Sequence, residues 1–166
     1  MRHLFLAPLI TALLLLPSAH AQSDRQAIAQ AHWLNSDQGR PVTPSDTLLL
    51  KAVPDLKKTK RGYQDMCDTP VTPKILSLDV GGSLGRVNVV IEEDSACFGG
   101  AGADYTILDK DRHVLWQNSA AGIATLSSRH DGVQDLTFAG PGMSVPIWSW
   151  NAGKHSFVFR KTVETQ

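Results

Sequence analysis

The chain has 166 residues, 42% of them hydrophobic, with 16 Lys and Arg set against 16 Asp and Glu. That balance lacks the basic surplus that a phosphate backbone demands, so nucleic acid is excluded as the main partner. Once an N-terminal leader is set aside, about 145 residues remain, a normal size for one domain.

The leader is residues 1–21. Met1-Arg2-His3 is a short basic start, Leu4 to Leu16 is apolar apart from Thr11, and Pro17-Ser18-Ala19-His20-Ala21 ends in a small-x-small pattern. This is the layout of a secretion signal cleaved after Ala21. Its apolar run is too short to span a bilayer comfortably. No cysteine stands directly after the cleavage point, and no later stretch is long and apolar enough to be a membrane helix. The expectation is a periplasmic or secreted protein with no stable membrane anchor. Two cysteines remain, Cys67 and Cys97. In an oxidising compartment they are expected to form one disulfide. A redox pair is the lesser alternative, because Cys-x-x-Cys spacing is missing.

Residues 22–66 read as a helical and irregular segment, and residues 67–166 as a disulfide-linked β domain. Ser23 or Asp24 can cap a helix running to Asn35, with Ile28, Ala31 and Trp33 or Leu34 as its apolar stripe. Thr43-Pro44-Ser45-Asp46 is a second helix start, followed by Leu48, Leu49, Leu50 and Val53 and stopped by Pro54. Lys57, Lys58, Lys60 and Arg61 form a basic run, expected as a solvated loop or helix face. Its sharper alternative is contact with lipid headgroups or an acidic partner.

From Thr69 the texture changes to short alternating runs bounded by turn residues. Strands are expected at residues 75–80, 86–93, 104–109, 113–117 and 122–127, then in three C-terminal runs. Those last runs are separated by Asp131-Gly132, Gly140-Pro141-Gly142 and Asn151-Ala152-Gly153. Trp148 and Trp150 lie two apart, as do Phe157 and Phe159, so each pair shares a strand face. A hairpin turning at residues 151–153 would set the two pairs against each other. The predicted fold is mainly β, an antiparallel meander of about eight short strands, curled or packed as a small sandwich or barrel, with an N-terminal helical segment.

Four motifs invite chemistry. Gly81-Gly82-Ser83-Leu84-Gly85 fits Gly-x-Ser-x-Gly, but a nucleophile elbow needs a helix after the serine, and a strand follows here. A hairpin turn is the expectation. Cys97-Phe98-Gly99-Gly100-Ala101-Gly102 lacks the Gly-Lys-Ser/Thr ending of a phosphate loop and opens no helix. Residues 127–136, Ser-Ser-Arg-His-Asp-Gly-Val-Gln-Asp-Leu, resemble the calcium loop of FG-GAP/VCBS-type repeats, Asp-x-Asn-x-Asp-Gly-x-x-Asp-Leu. The match covers Asp131, Gly132, Asp135 and Leu136. Ser127 and Arg129 stand at the first two ligand positions, and a cation there opposes calcium. The histidines His32, His113, His130 and His155 show no His-x-x-x-His or Cys/His spacing, so no metal is expected. His130 beside Asp131, or His113 near Asp111, has the makings of a base with its orienter. Solvated turn residues explain both more simply.

From Cys97 to Phe159 the chain resembles a group of small bacterial envelope proteins. The shared features are the Cys-Gly-rich stretch, the Asp-Gly-x-x-Asp-Leu turn and a C-terminal Trp-x-Trp hairpin. The resemblance implies a fold more than an activity. Without a catalytic constellation or a cofactor motif, the expected function is non-enzymatic binding of a macromolecule. The first candidate partner is an envelope protein, as for an inhibitor of a lytic enzyme or an immunity protein, met through the stretches 93–103 and 127–133. The second is a cell-wall glycan held on Trp148 and Trp150. A serine hydrolase at Ser83 is a distant third. Arg129, His130 and Asp131 join the two tryptophans as candidate binding residues.

Overall fold

In a computed structural model, residues 19–165 are described. The expected signal therefore lies, up to residue 18, outside the described residues. The chain opens with helix α1 (Ala19–Ala29), a 3-10 turn (Ser36–Gln38) and strand β1 (Arg40–Pro41). A second 3-10 turn (Pro44–Asp46) runs into α2 (Thr47–Leu50). The strands β2 (Lys57–Thr59), β3 (Gly62–Gln64), β4 (Pro70–Val71), β5 (Lys74–Gly81) and β6 (Gly85–Glu93) follow. After α3 (Ser95–Phe98) and a 3-10 turn come β7 (Ala103–Leu108), β8 (Val114–Ala120) and β9 (Gly122–His130). The chain closes with β10 (Val133–Ala139), β11 (Ser144–Asn151) and β12 (Ser156–Glu164).

The eight longer strands, with the short β1 at one edge, form two antiparallel sheets. One has the order β1-β5-β6-β7-β8, the other β12-β11-β10-β9. Period-two alternation decides which side chains meet between them. Leu76, Leu78 and Val80 of β5, Val87, Val89 and Ile91 of β6, and Tyr105 and Ile107 of β7 form one wall of the core. Ile123, Leu136, Phe138, Trp150 and Phe157 of the second sheet close it. Each such fully buried side chain contributes about 1.5–3 kcal/mol. The molecule is thus an open two-sheet sandwich, and neither sheet closes into a barrel.

Each outer face has its own cover. On the first sheet, Ile75, Val90 and Leu108 point away from the main core and pack under Leu50 and Val53. On the second, Leu126, Ile147 and Val163 pack under Ile28 of α1. Asp24 and Lys161 form an ion pair at the rim of that contact. The expected helix ends at Ala29 rather than Asn35. Beyond it the backbone extends, because Leu34 exchanges two hydrogen bonds with Ile123, of 2.9 and 2.8 Å. Two backbone pairings with a sheet edge outweigh the weak propensity of a further helical turn.

The basic run corrects a second expectation in part. Lys57 and Lys58 lie in β2, hairpinned to β3 with Lys58 opposite Tyr63, while Lys60 and Arg61 form the exposed turn between the two strands, the solvated loop expected there. Strand β4 completes a small third sheet. The Cys67–Cys97 bridge forms as expected, with Cα atoms 5.9 Å apart, and ties the connection before β4 to α3. The C-terminal hairpin also pairs as expected, Trp148 opposite Phe159 and Trp150 opposite Phe157.

Candidate functional site

The candidate residues Arg129, His130 and Asp131 close the β9–β10 hairpin. Asp131 (φ 50°) and Gly132 (φ 79°) both take the left-handed conformation of a two-residue turn. Their polar groups are largely used within the fold. Arg129 donates to the Gly132 carbonyl at 3.0 Å, and the Asp131 carboxylate accepts from the Ala152 amide at 3.3 Å. Asp135 is buried and receives the Ser128 hydroxyl at 2.6 Å on one oxygen, while His130 Nδ1 lies 2.6 Å from the other. Asp131 and Asp135 thus serve different partners, and the turn does not gather them around a common point as a calcium loop would.

Around Asp135 lies a hollow of about 220 Å³ lined by Asp24, Ser128, His130, Ile147, Arg160 and Lys161. Ser128, His130 and Asp135 have the composition of a nucleophilic triad without its wiring. A base must accept the nucleophile's proton, yet the Ser128 hydroxyl donates to the carboxylate and not to the imidazole. Arg160 Nη1, 3.2 Å from His130 Nδ1, adds a cation to the same corner. Ser83 sits exposed in the turn between two antiparallel strands, so the strand-to-helix elbow is missing there as well.

Trp148 and Trp150 are not a paired platform. Trp150 is 4% exposed and belongs to the main core, which corrects its candidacy as a binding residue. Trp148 is half-buried, edge-on to Trp116 at 5.6 Å and to Phe159 at 5.8 Å. The indole nitrogens of both are buried. A paired sugar-stacking platform needs a free face on each ring, and Trp150 has none because it is buried in the core.

A second histidine cluster stands at one end of the sandwich. Asp109 follows β7, His113 precedes β8, and His155 lies in the β11–β12 turn. One Asp109 oxygen accepts from the amides of Asp111 and His113, at 2.9 and 2.8 Å. The other lies 3.1 Å from His113 Nδ1 and 3.0 Å from His155 Nε2. The carboxyl is buried, and burial alone would raise its pKa. The hydrogen bonds from His155, His113 and Asp111 outweigh burial and hold the pKa down at about 2. This cluster was not legible in the sequence, because His155 stands far along the chain from Asp109. The only local hint was the Asp-x-x-x-His spacing of residues 109 and 113.

The outer face of the first sheet carries buried acids. Glu92 pairs across the strands with Asp104. Burial first, then the nearby charges of Asp104, Asp65 and Asp55, push its carboxyl up to about 8. Asp104 is also raised by burial, partly offset by hydrogen bonds from Gln117 and Ser119. Asp65 holds the backbone in place. One of its oxygens accepts from the amides of Cys67 and Thr69, both at 2.9 Å, which fixes the turn that presents Cys67.

The small third sheet offers the concave, cationic surface of the molecule. Tyr63 stands between two clefts. The first, about 240 Å³, is lined by Thr47, Leu50, Lys51, Leu56 and Lys58 besides Tyr63. The second, about 340 Å³, is lined by Arg61, Val42, Pro70, Val71 and Pro73 among others. Neither lining includes a carboxylate. Lys57 pairs with Asp68 at 2.7 Å. Among the described residues, Lys51, Lys58 and Arg61 have no ion-pair partner. Leu48, next to the cleft-lining Thr47, is 63% exposed, and Met66, three residues beyond Tyr63, is 61% exposed. Among the described residues, no helix is long and apolar enough to cross a membrane. Comparison with family models, curated proteins and solved structures returns no match to the chain, so its functional assignment rests on this geometry alone.

Proposed function

We propose that the chain is a secreted, non-enzymatic binding protein of the inhibitor or immunity type, which engages an acidic protein partner through the face around Tyr63. The observation that carries this is the pair of apolar clefts flanking Tyr63 and edged by Lys51, Lys58 and Arg61. A half-buried tyrosine between two concavities gives a partner's side chains a place to insert. Cations without internal partners steer an acidic surface towards it and disfavour a basic one. A disulfide-tied sheet behind the clefts keeps them pre-formed and lowers the ordering cost of binding. The disulfide also suits an oxidising compartment. The β9–β10 turn is less favoured as the contact, because the polar groups of Arg129, His130 and Asp131 are already engaged within the fold.

The test is affinity capture from envelope extract with the oxidised protein and with a Lys58→Glu/Arg61→Glu variant, read by mass spectrometry. The expected result is one acidic protein recovered in near-equal amount by the unchanged chain and lost by the variant. Capture of cell-wall fragments alone, or of the same protein by both chains, overturns this assignment.

A further inference from the structure

The cluster at the far end of the sandwich carries an inference independent of the Tyr63 face. We propose that Asp109, His113 and His155 form a divalent-metal site of the zinc class, bridging the two sheets.

The three ligand atoms, one carboxylate oxygen and two imidazole nitrogens, all lie within 4.8 Å of one another. Two of the three edges are 3.1 and 3.0 Å. Zinc bound to imidazole and carboxylate at about 2.0–2.1 Å in tetrahedral geometry spaces its ligand atoms about 3.4 Å apart. Filling the site therefore asks for shifts of only tenths of an ångström along those edges. The two rings stand at 87° to each other, 5.6 Å apart, so their nitrogens converge on the carboxylate without the rings colliding.

The surroundings have the character of a built ligand shell. The non-coordinating Asp109 oxygen is fixed by two backbone amides, which orients the other toward the histidines. The Trp150 ring packs edge-on against His155 at 5.3 Å and limits its rotation. The His113 and His155 side chains are 66% and 54% exposed, so the ion has a path in and water can complete its coordination. Two nitrogens and one hard oxygen suit zinc and its borderline neighbours and are too few for calcium.

Placement gives the site a purpose. Asp109 and His113 belong to the β7–β8 hairpin of one sheet and His155 to the β11–β12 hairpin of the other. A bound ion is a second cross-link, at the seam between the sheets. The other metal-like grouping, Asp65 with Cys67 and Cys97, offers no thiolate because both sulfurs are in the disulfide.

The experiment is calorimetric titration of Zn²⁺ into chelator-stripped, oxidised protein, alongside His113→Gln and His155→Asn. Both altered side chains are exposed, and asparagine tolerates the left-handed backbone at 155 (φ 50°), so folding is retained and is checked by circular dichroism. The expected result is one Zn²⁺ per chain, with each substitution weakening binding at least about tenfold. Zn²⁺ should also raise the melting temperature of the unchanged chain and not that of the doubly substituted one. Absence of binding at millimolar Zn²⁺, or affinity unchanged in both variants, overturns the proposal.

Discussion

Gly82 shows how much one backbone position can decide. Its φ is 58°, and a Cβ added there would fall 2.7 Å from the carbonyl carbon and oxygen of Gly132. Two hairpin turns, β5–β6 and β9–β10, touch through bare backbone at this point. Gly82→Ala should therefore cost about 2 kcal/mol or more, combining a left-handed alanine with a forced separation of the turns. Urea unfolding is the measurement, and a midpoint unchanged from the original chain would contradict the contact. The glycine-rich turn was legible in the sequence as punctuation, and its conflict with a nucleophile elbow was legible from the strand that follows. Its partner turn was not, because Gly132 lies far along the chain with no local pattern joining them. The same holds for Asp109: its companion His113 was visible nearby, while His155 was reachable only through the packing of another sheet.

Among the elements, the C-terminal hairpin and the disulfide behaved as local rules require. Trp-x-Trp and Phe-x-Phe, separated by a turn, can only pair aromatic against aromatic if the register is symmetric about that turn. The rings meet edge-on at 5.8 and 5.5 Å. What the pattern did not reveal is that Trp150 and Phe157 are core while Phe159 stays 55% exposed, since an aromatic stripe on a strand looks alike whether it meets core, solvent or ligand. The disulfide closes a separation of 30 residues that includes β4, β5 and β6. Replacing both cysteines by serine should lower stability by about 3–4 kcal/mol in the chain-entropy account. Loss should show first in the connection before β4, where Asp65 positions Cys67, and hydrogen exchange across residues 62–71 would report it. Uniform exchange along the chain would mean that the bridge acts on the unfolded state alone. The basic run was read only in part, for its turn at Lys60 and Arg61 and not for its strand. Its closely spaced cations mask a strand, because cross-strand pairing with Tyr63 and Gln64 supplies what propensity does not.

For the whole molecule, two buried carboxyls set opposite edges of a pH window. Asp46 is held far below the usual carboxylate range, first by its hydrogen bond to Arg40 and then by Thr43. Its contribution is present above the ordinary carboxylate pKa and is lost as pH falls towards the folded value. Glu92 works the other way. Its carboxyl is raised to about 8, so the folded state holds a proton that the unfolded chain has released, and stability falls as pH rises from about 5 to 8. Glu92→Gln should leave stability nearly unchanged at about pH 4 and raise it by a few kcal/mol at about pH 9. Chemical denaturation at the two pH values checks this, and an equal effect at both would remove Glu92 as the cause. The alternation of apolar residues, the turn dipeptides and the two cysteines were enough to determine an antiparallel β protein with one bridge. These are short-range rules, satisfied within a strand or a hairpin. Only the tertiary structure decided that the sheets stay open, that α1 and α2 cover their outer faces, and that Trp150 is core. It alone placed Tyr63 between two basic-edged clefts and brought His155 to Asp109. The reason is common to all of these: each depends on which face of one element meets which face of another, and that is chosen by competition for buried area across the whole chain.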